Sequence, residues 1–137
     1  VLLQNDGLLP LPPDLSIGLI GAFAQSPRYQ GTGSSQVNPF KVTTAHEAFA
    51  DHPGGVHFAA GYNSAQAIPD ASLIAEAVAV AEQVDVCVVL VGLPGTYESE
   101  GFDRELLDLP NSTTTSCTPS LPPTRAQSWP CRMARPC

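Results

Sequence analysis

Val86 to Gly92 reads VCVVLVG, a near-continuous β-branched run that follows directly on a segment of helical period. A strand apolar on both sides belongs in the centre of a sheet covered by helices on both faces. In the preceding segment, LIAEAVAVAEQV after Asp70-Ala71-Ser72, residues Leu73, Ala77, Val80, Ala81 and Val84 share one helical face. Two more apolar runs read as strands, Ser16 to Gly21 (SIGLIG) and Val56 to Ala60. Between them Thr43 or Thr44 caps a short helix through AHEAFADH, which Pro53-Gly54-Gly55 ends. Strand, helix, strand, helix, strand predicts an α/β fold: a three-layer sandwich around a mainly parallel, incomplete sheet. Ligands of such sheets sit beyond the carboxyl ends of the strands. The loop from Leu93 to Leu109 begins at one such end.

Charge divides the chain in two. Residues 1–110 hold 13 acids against three bases, whereas 111–137 hold three arginines and no acid, for a net charge of −7 overall. That balance argues against nucleic acid or an anionic membrane surface as a partner. No apolar run approaches the length of a membrane span. The first residue is Val1, so an upstream part of the protein is expected. Cys87 lies in an apolar run and reads as a small buried hydrophobe. Cys117, Cys131 and Cys137 fall in the tail at spacings that match no zinc site.

The loop after the third strand, GLPGTYESEGFDR, carries Glu98 and Glu100 two residues apart. Glycosyl transfer to water needs one carboxylic acid to protonate the leaving oxygen and a second carboxylate to attack or to activate water. The competing reading is a solvated acidic loop. A second loop, RYQGTGSSQVNP, is rich in Gly and Ser and reads either as a tight turn or as a cradle for an anion. It lacks the lysine that a Walker loop requires. His46, His52 and His57 fit no metal-ligand spacing and read as surface or packing residues, so no metal site is expected.

YESEGFDRELLDLP, from Tyr97 to Pro110, resembles the E-x-E-G-x-D-R-x-x-L-x-L-P signature of the second domain of glycoside hydrolase family 3. VLLQNDGLLPL resembles the segment that leads into that domain, with Gln4 in place of the usual lysine. RYQGTGSSQVNP and AVAVAEQVDVCVVLVG are similar to its Gly/Ser loop and its helix–strand unit. The resemblance covers residues 1–110. It implies part of a retaining β-glycosidase, a β-glucosidase above all, acting on a small β-glycoside or oligosaccharide without metal or organic cofactor. The nucleophile would be an aspartate on a preceding barrel domain, a partner in cis. Glu100 would match the acid/base, with Glu98 the runner-up and a source of a raised pKa for its neighbour. Arg28, Gly33 and Ser34 would wall the sugar site, and Asp103 with Arg104 would brace the loop as an ion pair. Alone, the chain should be inactive and marginally stable. The competing class is a non-catalytic α/β module with an anion-binding Gly/Ser loop, and a third is a truncated product without function.

Residues 111–137, NSTTTSCTPSLPPTRAQSWPCRMARPC, show no periodicity and are expected to be irregular. One reading is a disordered linker. Another is a lost reading frame. Joining the third base of each codon to the first two of the next permits Q-L-D-D-D-L-V-H-A-V-A-A-A-N-P-R-T-V-V-A-L-S-N-G-S-P-V. Most positions leave one base free, but Trp129-Pro130 forces Ala and Met133-Ala134 forces Gly. The permitted string has an amphipathic helix, then Asn-Pro, then an apolar strand, then Asn-Gly. An out-of-frame translation from about Asn111 is therefore expected.

Overall fold

The computed structural model describes residues 2–34, 36–66, 68–97, 100–101, 104 and 107–117. Its sheet has three parallel strands, β1 (Ile17–Ile20), β2 (Val56–Ala59) and β3 (Val86–Val89), in the order β2-β1-β3. Ile17 pairs with Val56 on one side and with Val86 on the other, so all three strands start level. Ser16 and Asp85 pin this register. The Ser16 hydroxyl donates to Asp85 Oδ2 at 2.7 Å, the Ser16 N–H donates to the same oxygen, and the Asp85 N–H donates to Ser16 Oγ.

Period 2 along β1 sorts the two faces. Gly18 and Ile20 look toward helix α2 (Ala71–Ala81), where Ile20, Ala59 and Ala77 are buried with Val80, Ala81, Cys87 and Val89 packed around them. Ile17 and Leu19 point the other way and are 0% exposed, each burial contributing about 1.5–3 kcal/mol. On that second face His46, from the one-turn helix α1 (Ala45–Ala48), meets Phe58 edge-on at 5.3 Å. The α/β sandwich is therefore present, with α2 and α1 on opposite sides of a parallel sheet. Gly18 is needed for the approach of α2, because a Cβ there would stand 3.0 Å from Val84 Cγ2 and 3.2 Å from Val80 Cγ1.

Both main helices are capped by their own sequence. Thr44 and Glu47 form a reciprocal capping box at α1. Asp70 Oδ1 accepts from the N–H groups of Ser72 and Leu73 and from the Ser72 hydroxyl at 2.6 Å, closing the start of α2. The helix expected through AHEAFADH stops early, its last turn giving way to bonds such as His52 N–H to the Phe49 carbonyl.

Two expectations need correction. The VCVVLVG strand is not central: among the described residues β3 pairs only with β1, which takes the middle. Residues 111–117, expected to be irregular, form helix α3 (Asn111–Cys117). Ser and Thr are weak helix formers, so propensity gave no signal. Contact with α2 overrides it, and the Pro110 carbonyl accepts from the N–H groups of Thr113 and Thr114 at 2.9 and 3.0 Å. Residues 118–137 lie outside the described residues.

Candidate functional site

The site is built on the carboxyl ends of β1 and β3. Gly21 follows β1 at φ +128°, and a Cβ on it would come 2.2 Å from the Leu90 carbonyl oxygen, which only glycine permits. Tyr62 fixes the same carbonyl through its hydroxyl at 2.7 Å and meets Phe23 edge-on at 5.9 Å. Gly92 in turn lies under the Phe23 ring, with 3.0 Å between Phe23 Cε2 and a Cβ built there. Strand ends that close together leave little room for side chains, and the two following loops rise from one floor.

Between those loops is an open cleft of about 710 Å³, with Phe23, Arg28, Tyr29, Val91 and Leu93 among its lining residues. The Gly/Ser loop on its near side holds itself in shape. The side-chain amide of Gln30 donates to the Val37 carbonyl and accepts from the Val37 N–H, both at 3.1 Å. Gln36 Nε2 donates to the Gly31 carbonyl at 3.3 Å. These two glutamines were not singled out from sequence, although paired amides around a Gly-rich loop are a usable sign. Arg28 lines the cleft and donates from Nη1 to the Leu93 carbonyl at 3.0 Å, tying the Gly/Ser loop to the loop after β3.

Glu100 meets this arrangement through Ser34. The Ser34 N–H donates to Glu100 Oε2 at 3.0 Å. That backbone bond, and after it the Ser34 side chain, holds the carboxyl below the usual glutamate range. The sequence predicted a raised value. The difference arises because Glu100 is solvent-exposed and its charged form is the one receiving hydrogen bonds. Gly33, at φ +131°, leaves the space: a Cβ there would lie 2.9 Å from Glu100 Oε2 and 3.0 Å from Glu100 Cβ. The Gly/Ser loop thus makes this contact with an anionic group of its own chain.

The structure brings Gly33, Ser34 and Glu100 together and puts Arg28 on the cleft; Glu100 is not itself a lining residue of that cleft. Arg104 donates to the carbonyls of Leu107 and Asp108, bracing the end of the acidic loop through its backbone. Glu98, the runner-up, and Asp103, the expected partner of Arg104, lie outside the described residues. His52 Nε2 is 2.8 Å from the Leu15 carbonyl and His46 packs on Phe58, so both serve packing. Cys87, expected to be buried, is half-buried against the core, and that burial pushes its thiol up.

Residues 1–118 match the sequence pattern described as "Glycosyl hydrolase family 3 C-terminal domain". The chain belongs to that family. The family 3 domain is 42% identical over 116 residues to thermostable β-glucosidase B of Acetivibrio thermocellus, covering 82% of this chain and 15% of that protein. It is 40% identical over 120 residues to an exo-α-(1→6)-L-arabinopyranosidase of Bifidobacterium longum, covering 80% of this chain and 16% of that one. Among solved structures it is similar to a Bifidobacterium adolescentis family 3 β-glucosidase, at a TM-score of 0.76 and 40% identity, over 83% of this chain and 17% of that one. The domain therefore spans about a sixth of the length of the relatives it matches.

Proposed function

We propose that this domain is part of a retaining β-glycosidase, a β-glucosidase in the first instance, to which it contributes the general acid/base on the loop after β3. Glu100 carries the role. Its carboxylate stands on a loop beyond the carboxyl end of a parallel strand and is oriented by a neighbouring loop, and that is the observation on which the reading rests. In the first half of the reaction the protonated carboxyl gives its proton to the glycosidic oxygen as the aspartate nucleophile takes the sugar. In the second half the carboxylate removes a proton from the water that releases it. The aspartate belongs to a barrel domain in cis, and the substrate is a small β-glycoside or oligosaccharide. The chain by itself is inactive on this reading.

In a full-length enzyme carrying this domain, Glu100→Gln lowers kcat about 10²–10⁴-fold, and most for substrates with poor leaving groups. Comparing aryl β-glucosides of graded leaving-group acidity measures this. Unchanged turnover would remove the role from Glu100 and move it to Glu98 or elsewhere.

We also propose that the chain from about Asn111 is translated out of frame. Two features of the fold support this. The outer edge of β3 has no strand beside it among the described residues, and α3 buries Ser112 and Thr113, each 1% exposed, beside α2. Hydroxyl side chains are unusual on the packed face of a helix. The alternative frame supplies an amphipathic helix there, then an apolar strand. Resequencing the gene across the codons for Leu109 to Ser112 tests the proposal, and an intact frame with NSTTTSC peptides in the mass spectrum of the natural protein would refute it.

A further inference from the structure

We propose that Gly33 and Ser34 are positioning residues for Glu100, the Ser34 N–H gripping the carboxylate and the bare Cα of Gly33 letting it approach. This rests on the reading of Glu100 as the acid/base. The Gly/Ser loop would then be less a wall of the sugar site than a holder for the group that moves the proton.

The geometry allows little alternative at Gly33. Its φ of +131° disfavours any L side chain, and a Cβ would stand 2.9 Å from the very oxygen that Ser34 binds. One substitution would therefore strain the turn and push the carboxylate off its donor. The holder is stiff, because the Gln30 and Gln36 amides close the loop on either side of Gly33 and Ser34. Arg28 ties it to the Leu93 carbonyl, on the same stretch of chain that leads to Glu100. The loop brings no competing charge, since it has no titratable side chain between Tyr29 and Lys41. Arg104, the described charge nearest in sequence on the acidic loop, donates to the carbonyls of Leu107 and Asp108.

Such a holder serves the second half of the reaction most. A carboxylate removing a proton from attacking water must be ionised and aimed, and an N–H donor favours the ionised form. As that proton passes to Glu100, the water oxygen bonds to the sugar carbon and the bond from that carbon to the aspartate breaks. Protonation then weakens the Ser34 contact, leaving the acid free to meet the next glycosidic oxygen.

The test is an NMR titration of the 137-residue chain. The Glu100 side-chain carboxyl should titrate below an ordinary glutamate, and the Ser34 amide shift should follow the same midpoint. Gly33→Ala should raise that midpoint toward the ordinary value and uncouple the Ser34 amide, while Ser34→Ala, which keeps the N–H, should preserve the coupling. A Ser34 amide indifferent to Glu100 ionisation in the unmutated chain would overturn the proposal whether or not any variant folds. A folded Gly33→Ala chain with an unmoved Glu100 midpoint would do the same. In a full-length enzyme, Gly33→Ala should lower kcat up to about 10²-fold with KM little changed. The titration does not depend on catalysis, so unchanged turnover in a full-length Glu100→Gln enzyme would sink the acid/base role while leaving the grip itself measurable in the unmutated chain.

Discussion

Tyr62 and Asp70 illustrate how single polar groups hold this domain. Tyr62 is buried, yet its hydroxyl reaches the Leu90 carbonyl at 2.7 Å, at the point where β3 gives way to the loop that bears Glu100. Tyr62→Phe keeps the ring contact with Phe23 and removes the bond. Urea denaturation should show a loss of about 1 kcal/mol. Asp70 acts differently. The Ser72 hydroxyl, then the N–H groups of Ser72 and Leu73, hold its carboxyl below the usual range. A carboxyl depressed in the folded state adds stability above its unfolded pKa of about 3.9, and that stability is lost as pH falls through the lower folded value. Asp70→Ala should therefore lower the denaturation midpoint at pH 7, and the gap from the unmutated chain should close as the pH is taken below about 4. A gap independent of pH would mean that Asp70 contributes through something other than its charge.

At the scale of elements, the legible features were those encoded in a few adjacent residues. The three strands, α2 and the Thr44 cap follow from apolar period and capping chemistry, and the apolar face from Leu73 to Val84 is the one that meets the sheet. Glu100 was legible as a candidate because its motif is local. Its tie to Ser34 was not, since the two are 66 residues apart and nothing in either loop announces the other. Nor was α3, which owes its existence to packing on α2 rather than to its own Ser and Thr residues. The fit of α2 to the sheet turns on Gly18, which in sequence is only one residue of the SIGLIG run. Gly18→Val would drive a branched side chain into Val80, Val84 and Cys87. It should cost about 1–3 kcal/mol by urea denaturation, as over-packing of a filled core does. A neutral result would mean that α2 can shift to make room.

For the molecule as a whole, the decisive feature is the outer edge of β3. Among the described residues this β-branched strand has one side unpaired, which makes it a template for another strand, and an unprotected edge invites association. Leu3, Phe40 and Leu107 are exposed apolar groups on the same chain, 93%, 106% and 91% accessible, and they add to that tendency. The alternative reading frame offers the piece that the edge requires: T-V-V-A-L, preceded by a helix long enough to cross over and return parallel to β3. A parallel neighbour needs just such a crossover, whereas a linker rich in Ser, Thr and Pro cannot supply one. Two chains separate these possibilities, one as it stands and one with residues 111–137 replaced by the string from the alternative frame. The first should grow in sedimentation coefficient with concentration and unfold at a low urea midpoint. The second should sediment as a smaller species at the same concentration and unfold later, with a larger m-value because it buries more surface. Equal midpoints and equal m-values would show that the added sequence forms no strand on β3, and the out-of-frame reading would lose its structural support.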